Sequence, residues 1–325
     1  MPTLNDILTL LPELYLVAAV CLILLLDAFM KPEQRPQLHW IAIVVLLVTI
    51  YLVVAGQPDQ TVTAFNGMFV RDHLAEILKV FALGITATVF VYARPYLIDR
   101  GLPGGEFYSL MIFAVLGVMV MVSAGNLVTV YLGLALLSLP SYALVAFNRD
   151  AKLPPEAAIK YFVLSALASG MMLYGMSMVY GASGMGGTPT LDLAQLHDVM
   201  AYTTAPKLLL LGLIFILVGI GFELGVAPFH MWLPDVYHGA PTPMTTFISA
   251  VSKLAAFGLA WRLLETGMGD LTRYWQPMLA ALATASLVIG NLVAIVQTNF
   301  KRMMAYSTIS HMGYVLLGLS AATPD

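Results

Sequence analysis

The chain is expected to fold as an all-α, polytopic transmembrane helix bundle of about ten spans, and three observations carry that expectation. It is 60% hydrophobic and only 10% charged over 325 residues, where soluble domains carry roughly 25% charged residues. Its mean hydropathy is +0.87. Apolar runs of span length recur from end to end with mostly short connections between them. Gly, Ala and Ser recur inside those runs, as in ATASLVIG and LSALASG, which lets helices approach closely in lipid.

The spans fall at 7–29, 38–56, 70–92, 107–123, 126–147, 156–181, 206–235, 242–264, 276–297 and 301–320. The first has no basic flank and is of span length, so it is expected to stay in the mature chain. It contains Cys21, the one cysteine, which reads as a core packing residue. The longest connection, 181–206, is rich in Gly and Thr and has room for a short amphipathic turn. The chain closes within a few residues of the tenth span, which reads as a sequence cut short.

The seventh span is the unusual one. A helix over 205–235 would be about 45 Å long at 1.5 Å per residue, longer than a hydrocarbon core of about 30 Å. Pro228 is the expected break, because it lacks an N–H and clashes with the carbonyl one turn back. Pro241 marks a second interruption, ahead of the eighth span. Backbone groups freed at membrane depth need protein or a water-filled cavity to satisfy them. A broken helix flanked by ionisable side chains is therefore a candidate ion or proton site.

Orientation follows from Lys and Arg. One set of loops holds eight of them: Lys31, Arg35, Arg94, Arg100, Arg149, Lys152, Lys301 and Arg302. The alternate set and the adjoining helix ends hold four: Arg71, Lys207, Arg262 and Arg273. The positive-inside rule then puts the N-terminus on the non-cytoplasmic side.

The remaining three lysines, Lys79, Lys160 and Lys253, fall within spans, as does Glu223. A charge at the bilayer centre costs about 2.5–3.5 kcal/mol even on the lenient insertion scale, so packing alone does not account for them. Removal from water favours the neutral form of an acid or an amine, the property a reversible proton carrier needs. For Glu223 and Lys253 the competing reading is a fixed ion pair. His230, just past Pro228, is placed either to relay protons or to bond the carbonyls freed at the break. Lys160 lies one or two turns into its span, so its ammonium also has the option of snorkelling to water. Lys79 lies nearer mid-depth, and His311 either extends a polar line or packs between helices. Asp235 and His238, in PDVYHGAP, read as turn residues at the aqueous edge.

Other chemistries find no support. A net charge of −3 is too small to argue for nucleic acid. His230 and His238 flank Pro234 with no cysteine nearby, a poor metal site. No glycine-rich dinucleotide or phosphate loop is present, and no Ser–His–acid grouping is credible inside the spans.

Three strings carry a resemblance: EAAIKYFVLSALASGMMLYGMSMVYG, GFELGVAPFHMWLPDVYHGAPTPMTTFISAVSKLAAFG and QTNFKRMMAYSTISHMGYVLLG. They resemble the antiporter-like membrane subunits of respiratory complex I, the NADH–quinone oxidoreductase, and LLSLPSYALVAF favours the N branch over the larger L and M branches. The resemblance covers essentially the whole chain. It implies about fourteen spans in two inverted five-helix repeats, each with a broken helix and a proton half-channel, joined by buried lysines. On that scheme 1–106 holds leading helices, 107–265 the first repeat with its broken helix, and 266–325 the truncated start of the second. It implies proton-transfer roles for Lys253, His230 and Lys160. It departs at two positions: Ala135 stands where the family commonly has an acid, and Glu223 where it has a lysine.

The resemblance further implies a bacterial inner-membrane subunit that moves protons while neighbouring subunits carry NADH, FMN, iron–sulfur clusters and quinone. No redox site or cofactor is expected in this chain. Its expected partners are other membrane subunits of that complex, including neighbouring antiporter-like ones, and the lipid bilayer. A subunit of a cation/proton antiporter complex and a non-conducting membrane scaffold remain as alternatives.

Overall fold

A computed structural model describes residues 3–31, 35–102, 104–185, 187–200 and 204–321. Helices α1 (Leu4–Thr9), α2 (Leu11–Phe29) and α3 (Pro36–Ala55) precede a two-stranded antiparallel hairpin, β1 (Val62–Ala64) and β2 (Phe69–Arg71). Then come α4 (His73–Asp99), α5 (Gly105–Val122), α6 (Leu127–Val145), α7 (Leu153–Ser183), α8 (Leu193–Met200) and α9 (Pro206–Leu224). The chain continues through α10 (Trp232–Gly239), α11 (Thr242–Trp261), α12 (Thr272–Ile295) and α13 (Phe300–Ala321).

Nine helical stretches among the described residues are long and apolar enough to cross a membrane, and they coincide with the first nine expected spans. The tenth expected span forms a 22-residue helix, α13, but is not among the nine. Lys301, Arg302, Ser307, Thr308, Ser310 and His311 make it more polar than the others. The 181–206 connection holds α8, a short helix as anticipated. Cys21 is exposed on α2, contrary to the expected core position. Apolar side chains on outward faces, Leu25 and Ile295 among them, are also exposed, as contact with lipid tails requires.

The hairpin was not anticipated. Its turn carries Phe65, Asn66 and Gly67, all with positive φ, and Asn–Gly between short β segments is a strong hairpin signal. Val70 N–H donates to the Ser123 carbonyl (2.7 Å) and Gly125 N–H to that of Met68 (3.1 Å), so the hairpin is tied to the turn between α5 and α6. The third span consequently starts at His73, where the Asp72 side chain caps the helix by accepting from Ala75 N–H.

The chain divides into two compact units. The first comprises residues 1–155 and 240–258. Its centre is α5, buried on nearly every face. A Cβ at Gly117 would lie 2.3 Å from the Leu137 backbone nitrogen, and one at Gly133 would lie 2.7 Å from that of Met121. The two glycines thus let α5 and α6 meet backbone to backbone. The second unit comprises residues 156–239 and 259–325. In it α12 packs on α13, α10 on α13 and α9 on α12. Gly175 of α7 and Gly212 of α9 face each other at similarly close range.

Candidate functional site

The break in the seventh span begins earlier than Pro228. Helix α9 stops at Leu224, and Gly225 follows with φ 72° and ψ 35°. Gly225 N–H donates to the Phe222 carbonyl and Val226 N–H to that of Gly221, both at 2.9 Å. That pair of bonds is a glycine-terminated helix end, so Gly225 ends the helix and Pro228 prevents its resumption. Replacing Gly225 by Ala forces a Cβ into the left-handed region and is expected to cost about 1–2 kcal/mol. A melting curve of the detergent-solubilised chain checks this, and an unchanged midpoint would show that Pro228 alone sets the break. Pro241 lies, as expected, between α10 and α11.

Freed backbone groups find partners. Ala227 N–H donates to Ser286 Oγ (2.9 Å) and Trp232 Nε1–H donates to the Phe222 carbonyl (3.0 Å). The Trp232 ring stacks on Tyr161 (centroids 4.7 Å, 10°) and on Phe222 (5.4 Å, 26°). The break is thereby satisfied by protein rather than left open in the bilayer. Ser286 was missed from sequence, because a serine in an apolar helix reads simply as a small residue.

Glu223 is buried, 7% exposed, two residues before the break. A helix C-terminus is the negative pole of its dipole, so a carboxylate there needs a cation or a proton to balance it. His230 is half-buried with its ring facing the Pro228 carbonyl and 6.3 Å from the Tyr306 ring. Its buried Nδ1 makes no hydrogen bond among the described residues.

Lys160 differs from the expected buried lysine. Its side chain is 46% exposed and pairs with Glu156 (2.9 Å) and Asp235 (3.0 Å), while Arg302 Nη1 reaches the other Asp235 oxygen at 2.8 Å. This network joins α7, α10 and α13, and the ammonium reaches water as snorkelling allows. Asp235 is therefore more than a turn residue. Such half-exposed pairs are screened by water and add little to stability. His311 lies on the exposed face of α13, with Tyr314 beside it.

In the first unit, Lys253 of α11 is 5% exposed and Lys79 of α4 is 1% exposed. Lys79 Nζ sits 2.8 Å from Glu13 Oε1 and 3.3 Å from Glu76 Oε1. The Glu13 carboxylate makes no hydrogen bond among the described residues, so its contact with Lys79 is a close ion pair of poor hydrogen-bond direction. Arg71 engages both oxygens of Glu76 (3.0 and 3.1 Å) and donates to the carbonyls of Val53 (3.1 Å) and Thr9 (3.5 Å). It so caps the C-terminal ends of α3 and α1. A Cβ at Gly56 would lie 2.9 Å from Arg71 Nη2, so that glycine leaves room for the guanidinium. Glu13, Arg71 and Glu76 are all under 7% exposed and were missed as site residues. The Glu76–Lys79 spacing on one helix face was a signal for part of this cluster. Ala135, half-buried on α6, brings no carboxyl.

A family model described as the NADH:quinone oxidoreductase/Mrp antiporter transmembrane region matches residues 124–325. A second, the N-terminal region of NAD(P)H-quinone oxidoreductase subunit 2, matches residues 3–91. NADH-quinone oxidoreductase subunit N of Halorhodospira halophila is 49% identical over 313 residues, covering 96% of this chain and 64% of its own length. The same subunit of Xanthomonas euvesicatoria is 50% identical over 318 residues, covering 98% and 64%. This chain thus spans about 64% of the length of these curated relatives. Among solved structures, a chain of Thermus thermophilus respiratory complex I with bound aureothin superposes with TM-score 0.78 at 32% identity, covering 95% of this chain and 64% of that one. A chain of the Mrp complex from Dietzia sp. DQ12-45-1b superposes with TM-score 0.82 at 22% identity, covering 99% and 60%, a likeness of fold.

Proposed function

Because this chain belongs to the NADH:quinone oxidoreductase/Mrp antiporter transmembrane family, we propose that it serves as a proton-translocating membrane subunit of an NADH–quinone oxidoreductase. It is a homologue of the N subunits of that enzyme. The observation that carries the reading is Glu223, a buried carboxyl at the C-terminal end of a helix broken between two span-length helices. At the negative pole of a helix, within a span, such a group calls for a cation or a proton to balance it. Lys253 and Lys79 add buried amines, and His230 an imidazole at the break. Residues 107–265 form the first repeat on this reading, with leading helices before it and the start of a second repeat after it.

Electrons move elsewhere. NADH, FMN, iron–sulfur clusters and quinone belong to partner subunits, and this chain supplies part of the proton path beside other antiporter-like subunits in a bacterial inner membrane. Identities of 46–50% to N subunits, against 22% to the Mrp chain, favour this over a stand-alone antiporter. Glu223→Gln in the full-length subunit, assembled in its complex in vesicles, is expected to lower protons translocated per NADH oxidised. An unchanged ratio would leave Glu223 as a fixed counter-ion and remove the main support for the reading.

The N-terminus is placed on the non-cytoplasmic side by the loop charges. Single cysteines at Gln60 and at Asp150, in a Cys21→Ser background, should react with impermeant reagents from opposite faces of the membrane. Labelling of both from one face would sink this topology.

A further inference from the structure

Apart from the proton path, the first unit holds a cavity of about 230 Å³ whose lining includes Arg35, His39, Arg94, Leu97, Leu102 and Tyr108. We propose that this cavity binds the headgroup of an anionic phospholipid. It lies where α3 begins and α4 ends, at the rim of two span-length helices, the depth at which headgroups meet acyl chains. Two guanidinium groups converge on it, and guanidinium presents a planar donor fork suited to phosphate. Arg94 rests over the Trp40 ring at 5.9 Å, which orients it without neutralising it. Arg35 Nε contacts Asp27 at 3.4 Å, and its side chain is 43% exposed. That contact uses one of five N–H donors, so the Nη groups stay available.

The wall supplies polar and apolar surface in the order a lipid needs. His39 Nδ1 and the Tyr108 hydroxyl share a 3.1 Å hydrogen bond among buried rings, giving the headgroup level a fixed polar contact. From there Trp40, Val44, Leu47 and Tyr51 form an exposed apolar stripe along one face of α3. An acyl chain laid on that stripe covers side chains that are each more than half exposed. The neighbouring Lys31 and Arg100 add positive charge at the same end of the helices, the arrangement that concentrates acidic lipid. A neutral isoprenoid or a zwitterionic lipid would make less use of the two guanidinium forks.

The test is thermal unfolding of the full chain in nanodiscs of phosphatidylcholine, with phosphatidylglycerol titrated in. The readout is the rise in midpoint on adding phosphatidylglycerol, taken for each protein against its own value in phosphatidylcholine. Any general destabilisation of a variant therefore cancels. Wild type should rise and saturate. Arg94→Gln should need about fivefold more phosphatidylglycerol, since one basic side chain near an acidic surface is worth about 1 kcal/mol. Arg35→Gln with Arg94→Gln should abolish saturation, while Arg94→Lys retains most of the rise. The proposal is overturned if the double variant responds like wild type. It is also overturned if inorganic phosphate alone reproduces the rise, which would mark a free-anion site.

Discussion

Lys253→Met in the full-length subunit is expected to reduce proton translocation by about a hundredfold, the lower range for loss of a positioned proton-transfer group. Lys253 is 5% exposed in the middle of α11. Methionine fills nearly the same volume but cannot replace the charge in the interaction Lys253 makes. Translocation is therefore read per assembled complex, which separates loss of transport from loss of assembly. Lys253→Arg separates the two readings of the residue. Guanidinium stays protonated at any accessible pH, so it preserves a fixed positive charge but cannot release a proton. An arginine variant that pumps like wild type would show that only the charge matters and that Lys253 is a structural counter-ion.

Arg71→Met is expected to produce the largest loss of stability among single changes in the first unit, about 3–5 kcal/mol, the cost of breaking a buried ion pair from one side. Its removal leaves Glu13 and Glu76 sharing the single ammonium of Lys79. It also strips a donor from the carbonyl ends of α3 and α1. Arg71→Met combined with Glu76→Gln should recover much of the loss, because removing both charges avoids the stranded carboxylate. Thermal unfolding of the single and double variants in detergent reads this directly. A double variant no better than the single one would show that the capping bonds, and not the ion pair, set the stability.

Much of this protein is legible in one dimension. Summed hydropathy located nine spans, because burial in lipid acts on each stretch of chain almost independently of what packs against it. The excess length of the seventh span announced a break for the same reason, and the motifs around it announced the family. The hairpin at 62–71 was legible in Asn66–Gly67 and was overlooked, since its strands of three residues are too short to show a period. The place of the break was less legible. Pro228 is the stronger breaker by propensity, yet Gly225 ends the helix, because a glycine can adopt the left-handed turn that satisfies the last carbonyls before the proline is reached.

By itself, then, the sequence determined which stretches are long and apolar enough to cross the apolar layer, and the family to which the chain belongs. Only the tertiary structure decided which charges are balanced and by what. Lys79 meets Glu13 from a different helix, and Arg71 ties together the ends of two others. Lys160, one or two turns into its span, turns outward to Asp235 and Glu156. A Coulomb contact falls off with distance in space and takes no account of separation along the chain. The partners of a charge are therefore fixed only when the helices that carry them have packed.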